Sequence, residues 1–274
     1  MQIAHLSDLH LGADSPAVQA AFTADVAAQR VDLAVVSGDL TMRAQRPQFA
    51  AARALLDSLG TPWISVPGNH DLPLFRVFER LVAPLANYRR AIGRDTEPVR
   101  RHGDVEVLGL NTARPYFWVE GRVDRRQRAR IRSAYTGPGL RVLVLHHPVF
   151  RSPERPAAHL VRGLRPALRA AADAQVDVIL CGHHHVAAHT DLAETYPGLG
   201  RHILAVMAGT TSTRVRAGRP QSYQLLTLTG RDRLRLQTRQ FDGERFAGHP
   251  AGEWTRGPSG WLTSRSPDDS ARSR

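Results

Sequence analysis

The chain has 274 residues, of which 42% are hydrophobic, so it is long enough to bury a sizeable core within one large α/β domain. Its longest apolar runs are only as long as a strand. They fall short of the roughly 18 consecutive apolar residues that a membrane helix requires, which argues against a membrane protein. The single cysteine, Cys181, excludes a disulfide framework.

The formal net charge of +12 is typical of proteins that bind nucleic acids or other polyanions. The chain contains no lysine, however, so arginine carries all of its basic side-chain charge. Codon bias in a GC-rich genome produces this pattern, and the arginines are spread along the chain. A nucleic-acid partner is therefore possible but not favoured, whereas a basic surface would attract small phosphorylated substrates. The chain opens on a strand-like segment without the features of a signal peptide, so we expect a cytoplasmic protein.

In the first two thirds of the chain, strand-like and helix-like segments alternate. In chain order, the pattern predicts a strand at 3–7, a helix at 16–30, a strand at 32–37, a helix at 47–59, strands at 63–66 and 105–110, a helix at 125–135, a strand at 141–145, a helix at 159–174 and a strand at 177–181. Pro16 is suitably placed to begin the first of these helices. Buried apolar strands separated by helices predict βαβ units and a mainly parallel core sheet.

The pattern changes after Cys181. Segments 202–208, 223–229 and 234–240 are strand-like, and Gly230-Arg231-Asp232 is a plausible hairpin turn between the last two. A second, more antiparallel sheet there would complete an α/β fold, a layered αββα sandwich of two mixed sheets flanked by helices. Glycine, proline, serine and arginine dominate the end of the chain. We therefore predict a domain at 1–243 and a weakly structured C-terminal tail at 244–274.

Five short polar segments stand at or just past the carboxyl ends of predicted strands. They are Asp8-Leu9-His10, Gly38-Asp39, Gly68-Asn69-His70-Asp71, His146-His147 and Gly182-His183-His184-His185. Open α/β sheets gather ligand sites at this edge, so segments far apart in sequence can meet in one cleft. Carboxylate, imidazole and amide oxygen are suitable ligands for divalent metals of intermediate hardness.

The spacing within these segments also suits metal binding. Asp8 and His10 are two residues apart at a strand end and can face the same side, and the outer histidines of the last segment can do the same. Asp39 is a natural candidate to bridge two cations. Each segment taken alone is more typical of an ordinary turn or a surface pair. All five in order, each at a strand end, indicate a metal centre.

Taken together, the five motifs resemble the signature of the calcineurin-like metallophosphoesterase superfamily, over residues 1–243. Segments 7–12 and 66–71 are particularly similar to bacterial cyclic-nucleotide and glycerol phosphodiesterases. The resemblance implies a dinuclear centre of two divalent or mixed-valence ions, for which manganese, iron, zinc and cobalt are all suitable. It assigns Asp8, His10 and His185 to one ion, Asn69, His146 and His183 to the other, and Asp39 to both.

The resemblance also implies roles around the metals. His70 would face the phosphoryl group of the substrate and Asp71 would orient it, so that His70, Asp71 and Asp39 are the candidate catalytic residues. Asn69, His70 and His184 are the candidate substrate-binding residues, although His184 is equally compatible with exposure to solvent. Either of the adjacent histidines His146 and His147 could be the ligand, and we choose His146 because it directly follows the strand.

These features predict a metal-dependent hydrolase of phosphate esters, most directly a phosphodiesterase that acts on a small phosphodiester such as a cyclic nucleotide. The alternative is a phosphomonoesterase that acts on a phosphorylated metabolite. A nuclease and a non-catalytic scaffold, like the retromer subunit of this fold, are less favoured; such scaffolds typically lack ligands that this chain retains. Segment 72–101 is either a substrate wall or a helical cap with an ordinary apolar face. Asn111 and Thr112 are expected at the edge of the site.

Overall fold

Two β-sheets organise the computed structural model, which describes residues 1–216 and 218–264. In chain order the strands are β1 (Gln2–Leu6), β2 (Leu33–Val36), β3 (Trp63–Ser65), β4 (Val99–His102), β5 (Val105–Leu110), β6 (Leu140–Leu145), β7 (Val178–Cys181), β8 (Ala188–Asp191), β9 (Leu204–Met207), β10 (Ser222–Thr229), β11 (Arg233–Phe241), β12 (Phe246–Gly257) and β13 (Gly260–Thr263). The helices are α1 (Pro16–Ala28), α2 (Arg46–Ser58), α3 (Val77–Val82), α4 (Ala86–Ala91), α5 (Arg125–Ser133), α6 (Leu164–Asp173) and α7 (Leu192–Thr195). Among these residues, no helix combines the length and the hydrophobicity of a membrane-spanning segment.

Both sheets contain parallel and antiparallel pairs. The first has the strand order β13-β12-β11-β10-β1-β2-β3, in which β1, β2 and β3 run parallel and the strands from β10 onward are antiparallel. The second has the order β4-β5-β6-β7-β9-β8, with β5, β6, β7 and β9 parallel. The predicted sandwich of two mixed sheets flanked by helices is therefore confirmed.

Three apolar layers hold the sandwich together. The layer between the sheets is built from side chains of both, including Val35 of β2 and Val144 of β6. On the outer face of the first sheet, α1 buries Val18, Phe22 and Val26, which lie four residues apart and so share one side of the helix. Helices α5 and α6 cover the outer face of the second sheet. This packing fixes the edges of the two sheets against each other.

The expected division of strands between the sheets was wrong. The C-terminal strands do not form a second sheet of their own: β10 pairs with β1 and extends the first sheet, whereas β9 pairs with β7 in the second. Each of these two pairings, β10 with β1 and β9 with β7, buries an apolar strand beside another apolar strand. Alternation of residue types shows that a segment is a strand but carries no information about its partner.

The predicted start of a weakly structured tail at residue 244 was also wrong. Residues 246–257 and 260–263 form two further strands, β12 and β13. Their tryptophans, Trp254 and Trp261, are buried in the layer between the sheets. The backbone of β12 pairs with β11 along its length, and this pairing stabilises a segment of weak strand composition. Residues 265–274 of the predicted tail lie outside the described residues.

We expect a chain that ends at residue 243 to be severely destabilised. It would lose β12, β13 and two buried tryptophans, and truncating one buried tryptophan typically costs about 3–5 kcal/mol. Two such losses rival the total stability of about 5–15 kcal/mol of a typical domain. Thermal unfolding followed by circular dichroism checks this against a control chain that ends at Ser264. Equal melting temperatures would contradict the assignment of these strands to the domain.

Candidate metal centre

The five polar motifs lie in the loops that follow β1, β2, β3, β6 and β7, at one edge of the sandwich. Backbone hydrogen bonds tie these loops to one another across both sheets. The Asp8 N–H donates to the Gly38 carbonyl (3.0 Å), and the Gly182 N–H donates to the His146 carbonyl (2.9 Å). The His183 N–H donates to Asp8 Oδ2 (2.8 Å), which joins the last motif to the first. The parallel strands thus bring residues 175 positions apart into contact.

One group of candidate ligands consists of Asp8, His10 and His185, all buried. The Nε2 atom of His185 lies 3.1 Å from Asp8 Oδ1 and 3.0 Å from His10 Nε2. Asp8 Oδ1 is buried and accepts no hydrogen bond from any described residue. These three atoms are close enough to bind one cation together.

A second group surrounds the Nε2 atom of His146. It lies 3.3 Å from Asp39 Oδ2, 3.2 Å from Asn69 Oδ1 and 3.2 Å from His183 Nδ1. Asp39 Oδ2 is also 3.7 Å from His10 Nε2, so this carboxylate faces both groups. The geometry is that expected for two neighbouring cations with Asp39 between them.

The hydrogen bonds of two candidate ligands, His146 and His185, indicate that these groups suit metal ions. His146 Nδ1 donates to the Ser37 carbonyl (2.8 Å) and His185 Nδ1 donates to the Arg214 carbonyl (2.5 Å). In a neutral ring the other nitrogen, Nε2, then carries a lone pair, and it points at carboxylate and amide oxygens that are also acceptors. Acceptors that converge in this way require a positive charge between them, which a divalent cation supplies.

A proton competes with a cation for the same position. Burial disfavours the imidazolium form of His146, but the adjacent Asp39 carboxylate outweighs burial and raises the pKa of His146 to about 9. Metal binding at this nitrogen therefore requires that the proton leave.

Backbone strain is concentrated at the same positions. Five of the eight non-glycine residues with positive φ among those described are candidate ligands: Asp8 (55°), His10 (46°), Asp39 (52°), His183 (75°) and His185 (59°). Left-handed backbone is unfavourable for residues other than glycine, and strain of this kind clusters at functional sites. The surrounding hydrogen bonds and packing hold these side chains in their inward orientation.

The motif glycines leave room for the ligands. A Cβ atom on Gly68 would lie 2.1 Å from Asp39 Oδ1, and one on Gly182 would lie 1.8 Å from Ser7 Oγ and 2.6 Å from Asp8 Oδ2. Any side chain at either position would displace a candidate ligand. The glycines are therefore needed for close approach of the backbone to the centre.

The expected contact between Asp71 and the His70 ring is not present. His70 Nδ1 donates instead to the Met42 carbonyl (3.0 Å). Asp71 accepts hydrogen bonds from the backbone N–H groups of Leu40, Thr41 and Gly68, so it joins the loop after β3 to the loop after β2. Burial and the charge of Asp39 raise the pKa of Asp71 to about 7. Asp71 can influence His70 only through the position of these loops.

The remaining histidines of the motifs take different places. His147 lies outside the candidate ligand groups, and its Nδ1 is 2.7 Å from the hydroxyl of Thr112, so Thr112 supports the site edge as expected. His184 is buried, not exposed to solvent; it lines the cavity next to the candidate ligands, and its Nδ1 has no hydrogen-bond partner among the described residues. Burial and nearby Arg155 lower the pKa of His184 to about 4.

A cavity of about 530 Å³ opens over the centre. Besides Asp39, Asn69, His70 and the histidines of the last motif, its walls come from residues 119–121, 154–160, Arg214 and Arg216. Segment 72–101 does not line it: Tyr88 of α4 is buried in the core, whereas Phe75 and Phe78 are exposed. The wall residues carry no motif, and only their position in loops that follow β5, β6 and β9 connects them with the site.

The sequence pattern of calcineurin-like phosphoesterases matches residues 1–187. Among solved structures, the chain is similar to a purple acid phosphatase from yellow lupin (Lupinus luteus) seeds, with a TM-score of 0.65 and 11% identity, over 90% of this chain and 52% of the lupin chain. This chain thus spans about half the length of the lupin protein. It is also similar to a dimetal phosphatase from Danio rerio, with a TM-score of 0.61 and 14% identity, over 88% and 96% of the two chains.

A third similar structure is Vacuolar Protein Sorting 29 from Cryptosporidium parvum, with a TM-score of 0.52 and 12% identity, over 93% of this chain and 97% of the other. At such identities these likenesses establish the fold and nothing finer. A comparison with curated proteins gave no match.

Proposed function

Because the chain belongs to the calcineurin-like phosphoesterase family of metal-dependent phosphoester hydrolases, we propose that its centre hydrolyses a small phosphodiester, such as a cyclic nucleotide. The observation that supports this most strongly is the convergence of two groups of lone-pair atoms on the shared carboxylate of Asp39. Preference for a diester rests on segments 7–12 and 66–71, which resemble those of bacterial phosphodiesterases.

In this proposal Asp8, His10 and His185 hold one cation, Asn69, His146 and His183 hold the other, and Asp39 binds both. Bound cations would polarise the phosphoryl group and lower the pKa of water so that a nucleophile is available near neutral pH. Manganese, iron, zinc and cobalt all suit this mixture of oxygen and imidazole ligands. The Asn69 side chain is oriented for this task, since its Nδ2 donates to the Trp118 carbonyl (3.4 Å) and its Oδ1 faces His146.

His70 acts on the substrate in this proposal. Its ring lies edge-on to the His10 ring, with 4.8 Å between the centroids, and it lines the cavity. To stabilise negative charge on the phosphoryl oxygens or to transfer a proton to the leaving oxygen, its Nε2 must first take up a proton and release the hydrogen bond from Arg214, which the negative charge of a bound substrate would favour. His184, whose Nδ1 is buried and has no hydrogen-bond partner in the part of the chain that the structure describes, offers a further polar contact to the substrate.

A phosphomonoesterase is the second candidate, and the charge of the cavity favours it. Arg214 places a half-buried positive charge beside His70. The electrostatic attraction of this charge is stronger for a dianionic monoester than for a monoanionic diester. A nuclease is less favoured because the arginines are spread along the chain. A non-catalytic scaffold is disfavoured because every candidate ligand is present.

We expect bound metal to stabilise the fold. A ligand at 100 times its dissociation constant adds about 2.7 kcal/mol, which corresponds to a rise of about 5–10 °C in Tm for a chain of this size. Differential scanning fluorimetry of chelator-treated protein, with and without Mn²⁺, measures the shift. Asp8→Asn should lose most of it, whereas Asp57→Asn, on an exposed carboxylate outside the centre, should retain it. An unchanged shift in Asp8→Asn would contradict the ligand assignment.

The substrate class is tested with two chromogenic esters. After metals are removed and Mn²⁺ is restored, we expect faster hydrolysis of bis(p-nitrophenyl) phosphate than of p-nitrophenyl phosphate, with activity in both cases lost on chelation. A preference for the monoester would reverse the order of the two candidates. Folded protein that hydrolyses neither ester with any of the four metals would count against a broad phosphoesterase.

A further inference from the structure

Arg214 is the most conspicuous residue of the cavity that no motif contains. It lies in the loop after β9, whose hydroxyl side chains form a chain of hydrogen bonds to the centre. Thr210 Oγ1 donates to the Asp8 carbonyl (2.6 Å), the Ser212 N–H donates to Thr210 Oγ1 (3.0 Å), and the Arg214 N–H donates to Ser212 Oγ (3.2 Å). The backbone of Arg214 is therefore fixed relative to a candidate ligand.

Arg214 also contacts two functional rings. Its carbonyl accepts the Nδ1 hydrogen of His185 (2.5 Å), which orients that candidate ligand. Its Nη1 donates to His70 Nε2 (3.1 Å), a lone-pair atom because His70 Nδ1 donates to the Met42 carbonyl. The guanidinium thus lies where the substrate must meet His70.

The charge of this guanidinium is not balanced by a carboxylate. Among the described residues, no Asp or Glu oxygen lies within 4.0 Å of it, whereas Glu120 and Glu154 of the cavity wall are paired with Arg162 and Arg219. Nε and Nη2 donate to no acceptor of the described residues. An anion in the cavity would balance this charge.

We propose that Arg214 is a catalytic residue that binds a non-bridging oxygen of the substrate phosphoryl group beside His70. The planar guanidinium carries several N–H groups, so it can bind the anion while it remains beside the His70 ring. The inference rests on the proposed function for its reaction. Binding of inorganic phosphate tests it without any turnover.

The experiment is calorimetric titration of inorganic phosphate into the full-length Mn²⁺-loaded protein. Arg214→Gln should weaken phosphate binding about 10- to 100-fold, the usual effect of losing a hydrogen bond between charged groups. The phosphate affinity of Arg214→Lys should lie between those of the native protein and Arg214→Gln. Lysine keeps the positive charge but lacks the planar guanidinium, which can donate two hydrogen bonds to one anion. Arg235→Gln is the matched control: it removes the same charge from an exposed side chain on β11, outside the cavity, and we expect a change of less than about 3-fold.

Equal weakening in Arg214→Gln and Arg235→Gln would overturn the proposal, because the effect would then be general electrostatic attraction. Unchanged phosphate affinity in Arg214→Gln, or loss of manganese from both Arg214 variants, would overturn it in favour of a structural role. In the ester assay, Arg214→Gln should lower kcat/KM by a similar factor. If no ester is hydrolysed while the difference in phosphate affinity stands, the proposed function fails but the anion site does not.

Discussion

Replacing Asp39 by alanine is expected to reduce metal-dependent ester hydrolysis by at least about 10³-fold. Asp39 Oδ2 lies within 3.7 Å of both His10 Nε2 and His146 Nε2, so both candidate cation positions lose a ligand at once. A bound metal contributes several kcal/mol of transition-state stabilisation, and about 4 kcal/mol corresponds to a factor of about 10³. The measurement is kcat/KM for bis(p-nitrophenyl) phosphate, together with metal content by mass spectrometry.

The companion variant Asp39→Asn separates ligation from folding. Asp39 Oδ1 accepts the His70 N–H (2.8 Å), and the amide oxygen of asparagine can keep this hydrogen bond while it removes the charge. Both variants should contain less metal than the native protein, and Asp39→Asn should unfold at a temperature close to that of the native apoprotein. Full activity in either variant would contradict the bridging role of Asp39.

Replacing His70 by alanine is expected to preserve both metals and to slow turnover by about 10²- to 10⁴-fold, the range for loss of a general acid or base. The hydrogen bonds of the ring hold it beside the cavity: its Nδ1 donates to the Met42 carbonyl, and its Nε2 accepts a hydrogen bond from Arg214. If His70 protonates the leaving oxygen, an alkyl ester should lose more activity than a p-nitrophenyl ester, whose leaving group needs no proton. Relative kcat for the two esters measures this.

The contrary result for His70 is equally informative, because His70 also lies close enough to His10 and Asp39 to serve as a ligand. Loss of a metal ion in His70→Ala would identify it as one. His249→Ala, on the exposed face of β12, is the control for the loss of a histidine elsewhere and should change neither metal content nor rate.

Much of the candidate site could be predicted because its chemistry is local. In each motif the polar residues directly follow a run of apolar residues, and a parallel strand must end at the common edge of its sheet. That reasoning placed Asp8, Asn69 and His183 in one cleft before any contact was known. It also preferred His146 to His147 as a ligand, and His146 is the one that faces Asp39.

The sequence by itself determined most of the helices and strands up to β11, the sandwich class and the residues that gather at its edge, since each depends on neighbours within a few positions. Only the tertiary structure decided how the strands divide between the sheets, that β12 and β13 belong to the domain, and that His70 is held by Met42 instead of Asp71. It alone brought Arg214 beside His70, across 144 positions. Such contacts depend on which surfaces pack together and which polar atoms find partners, and no periodicity along the chain records either.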